Sequence, residues 1–211
     1  MAEPEKQNSR PRKRPGKPAA GKRSGPKAPG PKKKGGPPPR KGRPAKPRQI
    51  PGALSLKQLS GNRYCLVPPR CAVERDLDLE EVQHMRDEDE PDVARDELLF
   101  LVEDCRGFLE AYNLLAELAL EQGDIPLAQG YYGFGYESAM AVLPIGFRGL
   151  LPAEEGYNPH FFLAGRGLAR CLISRGDRKK AREILKQLHK FDPDEPDVKA
   201  LLDELEQGPR K

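Results

Sequence analysis

From about Leu77 to Glu206 apolar residues recur at three- and four-residue steps, the spacing of one helix face. In "RDELLFLVEDCRGFL" the series is Leu98, Leu101, Val102, Cys105, Phe108 and Leu109. "NLLAELALEQGD" ends on Gly123, suited to the left-handed position just past a helix, and Asp124 can cap the next one. "RKKAREILKQLHKF" follows a second Gly-Asp break at 176–177 and stops at Asp192-Pro193. "EPDVKALLDELEQ" then predicts a last amphipathic helix, which Asp194 or Asp197 can cap. Residues 51–73 read as an extended connector. "RYCLV" has strand character, but Pro68-Pro69 follow it and no partner strand is evident.

The helical breaks share a register. "DEPDVARDEL" (89–98), "GDIPLAQGYY" (123–132) and "GDRKKAREIL" (176–185) each place an alanine five residues after their first position: Ala94, Ala128 and Ala181. A large residue follows four later: Leu98, Tyr132 and Leu185. Ala94 and Ala128 are 34 residues apart; Ala128 and Ala181 are 53 apart, one such period plus 19. A 34-residue unit of two helices is the tetratricopeptide period.

Over roughly residues 77–206 the chain resembles the tetratricopeptide repeat family. Tyr112, Leu115, Ala116, Ala119, Ala128 and Tyr132 match the pattern in one unit; Leu168, Ala169, Leu172, Ala181, Leu185 and Pro193 match it in the next. The small residues fall where two helices cross, and the large ones fill the grooves between hairpins. Gly165 departs from the pattern by replacing an aromatic residue, and Asp89 replaces the turn glycine of a degenerate first unit. The resemblance implies an all-α, short helical-hairpin solenoid over 74–207. Its units are about 77–107, 110–141 and 162–193, with an inserted loop at 142–160 and a capping helix at 194–206. It also implies a non-enzymatic protein–protein scaffold or adaptor with an unidentified protein or peptide partner. The groove-facing positions would be Asn113, Glu117 and Leu120 of the second unit and Arg166, Arg170 and Ile173 of the third. Arg166 and Arg170, four apart, could grip a carboxylate. Alternatively, Arg166 pairs with Glu117 across the groove.

Charge adds a second region. Residues 1–50 hold 17 Lys/Arg, 2 Glu, 12 Pro and 7 Gly, a net of +15, whereas the remaining 161 residues carry −10. With almost nothing apolar to bury, this basic tail is expected to be disordered. No aromatic residue precedes Tyr64, so stacking on bases is excluded, but residues 10–48 could neutralise phosphates without sequence preference. Nonspecific nucleic-acid association through the tail is therefore the alternative function. Contact with the acidic 74–104 segment, which holds 14 Asp/Glu, and a purely solubilising role are the other readings.

No catalytic constellation is present. "GYYGFGY" (130–136) lacks the spacing of a phosphate-binding loop, and its aromatics read as helix packing, with the glycines allowing a neighbour close. "RGD" at 175–177 is a helix break rather than an adhesion motif. His84, His160 and His189 are scattered, so neither a metal nor a cofactor is expected. Cys65, Cys71, Cys105 and Cys171 read as reduced thiols, with Cys105 and Cys171 packed on helices; a Cys65–Cys71 bridge is the other option. The N-terminus lacks the apolar core of a signal peptide, and no run approaches the ~18 apolar residues that span a bilayer. A cytoplasmic protein with no membrane segment is expected, nuclear only in a eukaryote.

Overall fold

The computed structural model describes residues 52–207. The expectations for the basic tail lie outside those residues. The described fold is mostly helical: α1 (Arg70–Glu74), α2 (Asp76–Asp87), α3 (Pro91–Glu103), α4 (Leu109–Glu121), α5 (Ile125–Met140), α6 (Asn158–Ser174), α7 (Arg178–Phe191) and α8 (Pro196–Gln207). Consecutive helices from α2 to α8 pack on one another, and α6 also touches α4.

The three breaks are one structure used three times. Gly123 (φ 76°), Gly176 (φ 85°) and Asp89 (φ 64°) each take the left-handed conformation that ends a helix. In each case the next amide reaches back to the last full turn: Asp124 N–H to Ala119, Asp177 N–H to Leu172 and Glu90 N–H to Met85. The Asp124 and Asp177 side chains then accept from Leu127 N–H and Lys180 N–H, capping α5 and α7. Glu90 makes no such cap, and Asp89 holds a backbone conformation that favours glycine. These are the local defects of the first unit.

Between α5 and α6 the helices approach where side chains are missing. A Cβ on Gly167 would lie 2.5 Å from the Tyr132 ring, and one on Gly165 would lie 2.7 Å from Leu188 and 3.2 Å from Tyr136. Tyr136, stacked on Phe161 at 5.5 Å, thus occupies space that the aromatic residue missing at 165 would need. Gly135 meets Ala164 in the same crossing, but Gly130 faces open space, so only part of the "GYYGFGY" glycine set serves close approach. Leu115, Ala116, Ala128, Tyr132, Leu168, Ala169, Ala181 and Leu185 are all buried.

The connector and the insertion differ from expectation. Residues 51–73 are not simply extended: β1 (Ser55–Gln58) and β2 (Tyr64–Val67) form an antiparallel hairpin, with Leu56 opposite Leu66, followed by α1. β2 has a second neighbour in the insertion. Leu150 N–H donates to Asn62 C=O, and Tyr64 N–H donates to Leu150 C=O. The insertion ends earlier than expected, because Asn158, Pro159 and His160 already belong to the first turn of α6. Asn158 is fully buried and joins the pieces: its Oδ1 accepts from Leu66 N–H, and its Nδ2 donates to the Tyr64 and Pro152 carbonyls. Leu151 N–H donates to Phe191 C=O, and Phe147 lies between Tyr64 and Phe191. Within the insertion Leu151 is buried, whereas Ile145 is fully exposed.

The cysteine expectation is corrected. Cys105 is not a free thiol, and Cys71 does not pair with Cys65. Cys71 and Cys105 form a disulfide, with Cα atoms 5.9 Å apart, that ties α1 to the α3–α4 corner across 34 residues. Sequence spacing brought Cys65 and Cys71 together, but folding turns Cys65 into the core.

Two measurements check this packing. Gly130→Ala should stabilise the protein by about 0.5–1 kcal/mol through helix propensity. Gly167→Ala should destabilise it by about 1–3 kcal/mol through the clash with Tyr132. Thermal melts of both variants read the opposite signs. Closing a loop of this length should contribute about 2–4 kcal/mol; non-reducing peptide mapping should find the linked Cys71 and Cys105 peptides, and a reductant should lower the melting temperature.

Candidate functional site

The six positions expected to line a groove sit on α4 and α6, which touch each other, yet they do not form one free surface. Asn113 is only 2% exposed. Its Nδ2 donates to the His160 carbonyl at 3.0 Å, joining α4 to the first turn of α6, and its Oδ1 is buried without a partner. Asn113 is therefore an interhelical tie rather than a ligand contact. Ile173 is half-buried against the larger core. Leu120 is 41% exposed, and Arg170 is exposed.

The charges are arranged differently from both sequence readings. Arg166 does not reach Glu117. It pairs with Glu195, ahead of α8, and with Asp197 in the first turn of α8 at 3.1 Å. Glu117 is met from the other side by Arg86 of α2 at 3.4 Å, and Arg86 also holds Glu121 at 2.8 Å. Each carboxylate is thus matched by the arginine of an adjacent repeat unit. Arg166 is not free to grip a carboxylate from a partner. Among the described residues Arg170 forms no ion pair.

Glu195 and Arg86 carry this arrangement but were not evident in the sequence. Glu195 is 6% exposed, and it also caps α8 by accepting from Val198 N–H. The cap therefore comes from Glu195 rather than from Asp194 or Asp197. A Glu directly before a proline has little capping signature; only the stacking of α8 beyond α6 brings it under Arg166.

Burial sets the titration of the groups behind this face. It pushes the Tyr132 phenol up to about 12, with Glu117 adding to the effect and Arg170 opposing it. At the other end of α4, His160 Nε2 lies 3.6 Å from Glu110 Oε2. An ion pair would raise the imidazole and lower the carboxyl. Burial does the reverse to both, lowering His160 and raising Glu110, so lost hydration outweighs their attraction. No cluster of three or more His, Cys, Asp or Glu among the described residues is placed to hold a metal. No described helix is long and apolar enough to cross a membrane.

Residues 155–205, covering α6, α7 and most of α8, match the family model of the tetratricopeptide repeat. This segment is similar to a tetratricopeptide repeat. No curated protein matches the chain. One similar solved structure is the first TPR of Spaghetti (RPAP3) bound to the HSP90 peptide SRMEEVD. It is 10% identical, covers 64% of this chain and 92% of that one, and has a TM-score of 0.48. In the matched segment, Arg166 and Glu195 form one of the contacts that join the hairpin α6–α7 to α8, beside the Arg178 and Arg182 bonds to the Leu205 carbonyl.

Arg166→Ala should leave the buried Glu195 carboxylate unpaired and destabilise the protein by about 2–3 kcal/mol. Adding Glu195→Gln should recover part of the loss, because the unpaired charge is removed. Urea midpoints of the two single variants and the double variant measure that coupling.

Proposed function

We propose that the chain is a protein-interaction scaffold that works by binding, through its helical repeat domain, rather than by catalysis. The partner segment lies along the face that carries Glu117 and Leu120 on α4 and Arg170 on α6. Leu120 supports this most directly. It is a large apolar side chain left 41% exposed on a helix whose other apolar residues are nearly all buried. Arg170, on the adjoining α6, is an exposed cation with no ion-pair partner among the described residues. Together they offer an apolar contact and a charged contact without dismantling an internal pair. Asn113, Arg166 and Ile173 support this face from behind, as helix tie, cap pair and core contact.

Affinity capture with the full chain, read by mass spectrometry, tests the proposal against a Leu120→Asp/Arg170→Glu variant. Both side chains are exposed, so the variant should keep its helical circular dichroism. Partners captured by the original chain should be lost or at least about tenfold depleted on the variant, as expected for contacts worth ~1.4 kcal/mol or more. Equal capture by both proteins would defeat the proposal.

A further inference from the structure

Beside Arg166 a cleft of about 650 Å³ opens between the insertion, the start of α6 and the α7–α8 connection. That volume lies within the range of ligand-binding clefts. Phe162 and Phe191 lie at its floor, and Leu150, Pro159, Pro193 and Pro196 are exposed along its rim. The insertion wall is fixed in place: Leu151 and Ala153 donate backbone N–H groups to Phe191 C=O and to Asp192 Oδ2. Asn158 holds the same wall to β2.

The charges around this apolar groove are unbalanced. Five carboxylates line it against two guanidiniums. Both guanidiniums are already engaged, Arg63 with Glu155 at 2.8 Å and Arg166 with Glu195 and Asp197. Asp192 accepts from the Ala153 and Asp194 amides. Glu154, by contrast, forms no ion pair among the described residues, and the fully exposed Asp194 reaches only Lys199, at 3.7 Å. An anionic ligand would find no free cation here, a Glu154 carboxylate without an ion pair and an Asp194 carboxylate held only by the longer contact to Lys199.

We infer that this cleft binds an extended peptide segment of another protein in which a Lys or Arg adjoins an apolar residue. The apolar side chain lies against Leu150 and the rim prolines, and the cation faces Glu154 and Asp194. This occupant adds a second contact to the scaffold reading, separate from the Leu120–Arg170 face, and rests only on that reading's premise that the chain binds other proteins. It reverses the sign of ligand that Arg166 alone would suggest, because α8 already supplies the carboxylates that Arg166 holds.

Selection of a phage-displayed random dodecamer library on the full chain tests the inference. A Glu154→Lys/Asp194→Lys variant, checked for folding by circular dichroism, serves for comparison, and the Leu120→Asp/Arg170→Glu variant is screened in parallel. Enriched peptides should place Lys or Arg beside Leu, Ile, Phe or Pro. Synthetic copies should bind the Glu154/Asp194 variant about tenfold more weakly or worse, as two reversed rim charges allow. They should bind the Leu120/Arg170 variant as well as the original. Enrichment of acidic or charge-neutral peptides overturns the inference, as does equal binding to the cleft variant or no enrichment at all. Loss of binding only on the Leu120/Arg170 variant overturns it too, while leaving the scaffold proposal standing.

Discussion

The seating of Tyr132 on Gly167 is the contact on which the described domain depends. Helices α5 and α6 belong to successive hairpins, and an insertion separates them in sequence. Their close packing relies on the absence of side chains at Gly165 and Gly167 of α6, where Tyr136 and Tyr132 of α5 enter. Interiors pack as densely as organic crystals, so one extra methyl group here has to displace a ring. Gly165 looked like a missing aromatic residue of the repeat. In three dimensions it makes room for Tyr136 and Leu188.

The insertion and the β-hairpin solve a second problem together. A two-stranded hairpin is marginal alone. Here its inner strand gains the Leu150 backbone on one side and two hydrogen bonds of Asn158, whose third reaches Pro152 in the insertion. An uncompensated amide at that depth would cost ~1–3 kcal/mol, so the full satisfaction of Asn158 makes the junction specific as well as stable. The result is a rigid accessory wall on one flank of the solenoid, and that wall creates the cleft.

Two ion-pair sets link successive units across the helical face. Arg86 reaches forward to Glu117 and Glu121, and Glu195 reaches back to Arg166. Helix stacking and electrostatics thereby reinforce each other. Leu120 and Arg170 stay exposed outside these pairs, whereas Asn113 and Arg166 are engaged within the fold, a distinction that sequence position alone could not make.

By itself the sequence determined the helical register. The Gly-Asp breaks, the alanines at 94, 128 and 181 and the 34-residue spacing are local and periodic, and local periodicity is what helix formation obeys. Asp89 in the left-handed turn shows how strong that register is, since it holds even where glycine is absent. Tertiary structure alone decided the rest. The Leu150 neighbour of β2, the Cys71–Cys105 bond and the pairing of Arg166 join residues far apart in the chain, the last two across 34 and 29 positions, and the cap on α8 takes Glu195 over near neighbours of equal chemistry. Such choices depend on which surfaces the stacked helices bring together, and no period in the chain encodes them.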